Sequence, residues 1–163
     1  SDGNAKLRYH GDIMSLARHL SLQCDLLERF LARLEEEQQA LAQGSVDGAK
    51  LQALAADKQT LLGEIERMET QRQHAQRRLG YASGPQGSAR AAEDAGCPEQ
   101  WQKLIELATR VRLLNRLNGE TIRQRMAHNQ RILNFLHEAA DRNLYGPDGQ
   151  ARRGSLAGIR SSV

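Results

Sequence analysis

Two neighbouring stretches of the chain place apolar residues at alternating steps of three and four. The first covers about residues 12–43; it starts at Asp12, a suitable N-cap, and stops before Gly44. The second covers about residues 46–79 and stops at Gly80. A repeat of about 3.5 residues over roughly four heptads predicts helices packed as a left-handed coiled coil. The first stripe comprises Ile13, Ala17, Leu20, Cys24, Leu27, Leu31, Leu34 and Leu41, and the second Leu51, Leu54, Leu61, Ile65, Met68, Ala75 and Leu79.

The connections between the periodic stretches predict the topology. The first connection is so short that the two helices must form an antiparallel hairpin. Residues 80–97 are rich in Gly, Ala and Ser, lack periodicity and predict a flexible linker. A third helix is expected over about residues 98–143, with Pro98 in its first turn and a break at Gly146-Pro147. The fold class is all-α: an elongated antiparallel hairpin plus a long third helix, packed as a coiled-coil-like bundle.

This pattern gives one bundle domain over residues 12–145, between a disordered leader (1–11) and a disordered tail (146–163). At about 1.5 Å per residue, the hairpin helices would span roughly 45–50 Å and the third helix roughly 65 Å. If the third helix packs along the hairpin, we expect its last ten or so residues to lack a partner within the chain. Leu133, Leu136, Ala140 and Leu144 share one face there, next to Ile132. Their spacing suits either core residues or the anchors of a helix that binds in a groove.

Polar residues interrupt the apolar stripes at a few positions. Lys58 and Arg72 occupy heptad core positions. We expect their stems to pack and their charges to reach water, the alternative being a charged patch in a binding groove. Asn115 and Asn118 lie on the stripe of the third helix, followed by Gly119. Polar core residues of this kind fix helix register, and a glycine inside a helix usually has a packing reason.

Composition argues against several classes of protein. The net charge of +3 comes from interspersed charges, and the arginines of the third helix do not form one stripe, so nucleic-acid binding is not expected. No segment is apolar enough to enter a membrane, and no signal peptide opens the sequence. The two cysteines, Cys24 and Cys97, have no metal-binding spacing, and no catalytic motif is present. We therefore expect a cytoplasmic protein that is not an enzyme and has no metal or cofactor.

Four motifs in a fixed order resemble the FlgN family of flagellar export chaperones. They are L-x-x-L-x-x-x-K-x-x-L-L at residues 51–62, W-x-x-L at 101–104, N-x-x-N-G-x-x-I at 115–122 and Y-G-x-x-G at 145–149. The third motif supplies the fold-signature residues Asn115, Asn118, Gly119 and Ile122. The resemblance covers about residues 12–149.

The resemblance implies a chaperone that holds the hook-associated proteins of the hook–filament junction, FlgK and FlgL, before export. The family's client-binding helix corresponds here to Ile132, Leu133, Leu136, Ala140 and Leu144. The aromatic residue that docks on the export gate, the cytoplasmic domain of the membrane protein FlhA, corresponds to Tyr145. A helix staple is the simpler explanation of Tyr145. The alternative function is a structural coiled-coil protein whose free helix end pairs with a second copy to form a homodimer.

Overall fold

The structure is a computed structural model that describes the backbone of residues 2–144 and the side chains of these residues except 7–10, 12–15, 143 and 144. Within residues 2–144 it contains four α-helices and no strand, so the all-α class is confirmed. They are α1 (Asp2–Leu41), α2 (Gly48–Arg78), α3 (Pro85–Asp94) and α4 (Pro98–Leu144). Tyr145 and the predicted tail lie outside the described residues.

Helix α1 starts ten residues earlier than the periodicity indicates. The segment predicted as a disordered leader is helical from Asp2 onward. Ala5, Lys6 and Arg8 are good helix formers, and the side chains of residues 2–6 are exposed. Periodicity reveals a helix through its buried stripe, and the exposed side chains of residues 2–6 form no such stripe.

Helix α3 lies inside the segment predicted as a flexible linker. Pro85 opens the helix, and Gly87, Ser88, Ala91 and Ala92 are buried. A Cβ at Gly87 would lie 1.8 Å from the carbonyl oxygen of Ala82, so only glycine fits there. Small side chains allow this close packing. The composition that suggested a linker therefore belongs to a short helix packed against its neighbours.

Polar contacts fix the directions of the helices in the bundle. Gln23 of α1 donates to Glu69 of α2, whereas Glu37 pairs with Lys58, so α1 and α2 are antiparallel. Lys103 and Arg110 of α4 pair with Glu28 and Glu35 of α1 at 2.6 and 3.9 Å. Residue numbers rise together in these pairs, so α4 runs parallel to α1. The sequence alone left this direction open.

The chain forms two compact units, residues 1–119 and residues 120–163, where the sequence predicts one bundle domain. The first unit holds both apolar clusters, and its α1 stripe is buried from Leu20 to Leu41. One cluster joins α1 to α3 and α4, and the other joins α1 to α2. Their buried members are Leu20, Cys24, Leu27, Leu31, Ala92, Cys97, Leu104 and Leu107 in the first, and Leu26, Phe30, Leu34, Leu61 and Met68 in the second.

The second unit is described from Glu120 to Leu144, the remainder of α4. We call these residues, 120–144, the C-terminal arm. Among the described residues, no helix is both long enough and apolar enough to cross a membrane.

Candidate partner-binding face

The N-x-x-N-G motif takes part in a buried polar contact between three helices. The Asn118 amide donates to the Leu34 carbonyl oxygen at 2.9 Å and to Glu37 Oε1 at 3.0 Å. The Glu37 side chain, in a residue only 3% exposed, also accepts two contacts of 3.1 Å from Lys58 Nζ. Lys58 Nζ donates further to Asn115 Oδ1 at 3.2 Å. These contacts join α1, α2 and α4 at one level of the bundle.

This polar contact explains why the motif identifies the fold. A buried carboxylate is tolerated only when it is paired and hydrogen-bonded, and such a pair specifies one helix register. Two expectations need correction. Asn115 is exposed rather than buried, because it reaches Lys58 from the edge, and Lys58 pairs with buried Glu37 rather than extending into water. Gly119 and Ile122 are half-buried.

Arg72 is buried, although we expected its charge to reach water. Its residue is 5% exposed, and its guanidinium donates to both carboxylate oxygens of Glu69, at 2.6 and 3.1 Å. Nη1 donates to Gln76 and Ser88, both at 3.0 Å, and the group lies 5.0 Å from the centre of the Trp101 ring. Arg72 therefore links α2, α3 and α4 at the opposite end of the bundle from Asn118.

The Glu69 carboxylate responds to this pairing. Burial alone would raise the pKa of Glu69. The hydrogen bonds and the charge of Arg72, with hydrogen bonds from Gln23 and Gln73, outweigh burial and hold the pKa below its ordinary value. A cavity of about 320 Å³ beside Arg72 is lined by residues of α2, by the start of α3 and by Trp101. Of the charged groups that line it, Arg72 is buried and Glu69 is half-buried, and these two already neutralise each other.

The described part of the chain offers little for metal or thiol chemistry. It contains no group of three His, Cys, Asp or Glu side chains that could hold a metal ion. Burial raises the pKa of the Cys24 thiol, and nearby Lys103 only partly offsets this effect. Burial likewise raises the pKa of the Cys97 thiol. Both thiols are protonated at neutral pH and are weak nucleophiles.

The C-terminal arm carries apolar side chains that the chain leaves exposed. Ile132 is 45% exposed and Phe135 is 66% exposed, whereas Leu133, Leu136 and Ala140 are half-buried. The structure thus places four candidate client-binding residues on one helix with an exposed apolar surface: Ile132, Leu133, Leu136 and Ala140. For Leu144 only the backbone is described, and Tyr145 lies outside the described residues.

The site residues predicted from the sequence do not include two large apolar residues of the arm. Phe135 and Met126 are each 66% exposed, the highest values among the exposed large apolar residues described. Phe135 broadens the apolar stripe but does not lie at a step of three or four from Leu133, Leu136 or Ala140. At about 100° per residue, Phe135 falls at the edge of the same face and Ala139 lies just inside that edge. We call Ile132, Leu133, Phe135, Leu136, Ala139 and Ala140 the arm face.

These features define the class of protein: a helical bundle with buried polar contacts that fix its register, continued by an amphipathic arm with an exposed apolar face. The family model described as "FlgN protein" matches residues 12–153. The chain belongs to the FlgN family.

Several relatives extend this similarity over most of the chain. The flagella synthesis protein FlgN of Yersinia enterocolitica is 31% identical over 148 residues, which cover 91% of this chain and 97% of that protein. The FlgN protein of Proteus mirabilis is 32% identical with the same coverage. That of Salmonella typhimurium is 32% identical over 130 residues, 80% of this chain and 85% of the relative. No solved structure matches this chain.

Proposed function

We propose that this chain is a flagellar export chaperone of the cytoplasm. In this proposal the arm face binds hook-associated junction proteins, FlgK- or FlgL-like, and the chaperone then delivers them to the export gate. The client-binding residues predicted from the sequence are Ile132, Leu133, Leu136, Ala140 and Leu144, and the exposure of Phe135 adds that residue to them. Family membership supports the role in flagellar assembly, because the curated relatives are named flagella synthesis proteins.

The observation that carries the proposal is the exposure of Ile132 and Phe135 on a helix. Leaving a large apolar side chain in water forgoes about 1.5–3 kcal/mol relative to burying it. A partner that covers the arm face recovers this free energy. An export client needs its own apolar helix surfaces shielded until assembly, and an amphipathic helix can provide that shield.

The test is a double substitution, Leu133→Asp with Leu136→Asp. We expect it to abolish binding of the purified hook-associated protein from the same bacterium, measured by calorimetry. The circular dichroism and melting temperature of the chaperone should stay close to wild type, because the bundle core lies in the first unit. A matched control, Ala127→Asp with Asn134→Asp, adds the same two charges on the exposed polar face of the arm. If the site variant unfolds, its residues are core and the site is wrong.

Delivery to the export gate is assigned to Tyr145 on the resemblance of the Y-G-x-x-G motif. We expect Tyr145→Ala to leave client affinity unchanged and to weaken binding of the loaded chaperone to the cytoplasmic domain of the gate protein. Pull-down with that domain measures the second effect. Equal loss of client and gate binding would remove the distinction between the two roles.

The exposed arm face also favours a second candidate function, self-association as a structural coiled coil. Sedimentation velocity separates the candidates. A stable homodimer whose mass does not change when the hook-associated protein is added supports the structural role. A monomer that forms a heterocomplex supports the chaperone.

A further inference from the structure

The arm face is wider than the seam of a simple coiled coil. At about 100° per residue, Phe135 and Leu133 lie roughly 160° apart around the helix. Ile132, Leu136, Ala139 and Ala140 fall between these two edges, with Ile132 and Leu136 nearest the centre. All six residues lie within nine positions, so the face is compact and nearly continuous.

The width of the arm face limits what can cover it. A two-stranded coiled coil buries mainly the narrow seam of its a and d positions, about two residues in seven. One straight helix placed over Leu136 would leave Phe135, Leu133 or both at the rim. Two helices that form a groove can enclose a face of this width, because each helix packs against one half of it.

The two edges of the arm face differ in charge. Arg131 and Arg142 flank the Phe135 edge, and both are exposed. The Leu133 edge is flanked by Gln130 and His137, which are also exposed. Glu138 lies beyond Arg131 on the Phe135 side, four residues before Arg142, and Asp141 lies beyond Gln130 on the Leu133 side; both are exposed. A partner surface alongside Phe135 therefore meets two arginines and one glutamate, a net positive charge, whereas between residues 130 and 142 the Leu133 side carries no lysine or arginine.

We propose that the arm face is recognised by a groove between two helices of the partner, and that the helix beside Phe135 carries carboxylates facing Arg131 and Arg142. The inference rests on the proposed function, since it specifies the surface that the client presents. Binding then completes a three-helix bundle in which the chaperone supplies one helix. Phe135 and Leu133 are buried by different helices of the client.

The first test compares Phe135→Ala, Leu133→Ala and Leu136→Ala in affinity for the hook-associated protein. Enclosure in a groove predicts that each variant weakens binding at least about tenfold, as truncation of a fully buried anchor does. If only one edge residue matters while Leu136→Ala still weakens binding, a single helix covers the face and the inference is wrong. If Leu136→Ala has no effect, the arm face is not the client site and the proposed function fails.

The second test compares two variants with the same change in charge. Arg131→Gln with Arg142→Gln removes two positive charges from the Phe135 edge, and Gln130→Glu with His137→Glu adds two negative charges beside Leu133. We expect the arginine variant to lose about tenfold in affinity at low salt and less at high salt, because Coulomb attraction is screened. The control should change affinity less than threefold. Equal losses would overturn the assignment of carboxylates to the Phe135 side.

Discussion

Helix α4 passes through two regions that share one amphipathic pattern and differ in what covers it. In the first unit, Leu104 and Leu107 are buried against α1. In the C-terminal arm, Ile132 and Phe135 project into solvent. The pattern of a helix shows that one face is meant to be covered, but it does not show whether the cover comes from the same chain. That difference separates the scaffold from the candidate site.

The two regions also differ in how they place charged groups. The first unit buries Glu37 and Arg72, and each has a charged partner and further hydrogen bonds. The arm instead exposes Met126 and Phe135 at 66%, more than any large apolar residue exposed by the described part of the first unit, where the highest value is 48%. Sequences that specify one fold usually avoid both features, and exceptions tend to occur where function requires them. The buried pairs serve register within the chain, whereas the exposed face serves recognition outside it.

The largest expected effect contrasts one apolar truncation in each region. Leu34 is 0% exposed, so Leu34→Ala leaves a cavity and should lower the free energy of unfolding by about 3–5 kcal/mol. Phe135→Ala removes a side chain that is mostly in water and should change it by less than about 0.5 kcal/mol. Urea unfolding followed by circular dichroism measures both. Comparable losses would mean that the arm face is covered in the free chain.

The stripes of α1 and α2, the all-α class and the exposure near the end of α4 could all be predicted from spacing. Helix α3 could not, because Gly87, Ser88, Ala91 and Ala92 are too small to produce an apolar pattern. The burial of Arg72 could not either. Glu69, which neutralises its charge, is only three residues away, but Ser88 and Trp101, which cover the guanidinium, are distant in sequence. Spacing predicted the position of the arm face, but Phe135 joins it only through the angle around the helix.

A smaller effect is expected from the polar contact between the three helices. Asn118→Ala removes two hydrogen bonds and leaves the buried Glu37 carboxylate with fewer donors, so it should cost about 1–3 kcal/mol of stability. Asn115→Ala removes one exposed contact to Lys58 and should cost less than about 1 kcal/mol. Chemical denaturation of both variants shows which substitution lowers the free energy of unfolding more. Equal costs would show that burial of the amide is not what matters.

The register role of Asn118 can be separated from recognition by the arm. Asn118→Ala should leave affinity for the client within about threefold under conditions where the bundle stays folded, because the arm face contains none of these contacts. A loss as large as that of Leu136→Ala would connect the two regions functionally. The comparison between scaffold and site would then have to be abandoned.

The smallest expected effect is that acid lowers the free energy of unfolding of the first unit through a carboxylate, Glu69, that the arm does not contain. Because the pKa of Glu69 is below its ordinary value of about 4.5 in the folded chain, its ionised form stabilises the fold. This contribution is fully present above about pH 4.5 and is lost as the pH falls through the folded pKa.

Trp101, the single tryptophan, lies beside Arg72, so its fluorescence reports on the surroundings of this ion pair. Urea titrations from pH 6 to pH 3 measure the free energy of unfolding at each pH. We expect it to fall less steeply with acid in Glu69→Gln than in the wild type. If the two curves stay parallel throughout, Arg72 does not stabilise the Glu69 carboxylate, and the pair contributes register alone.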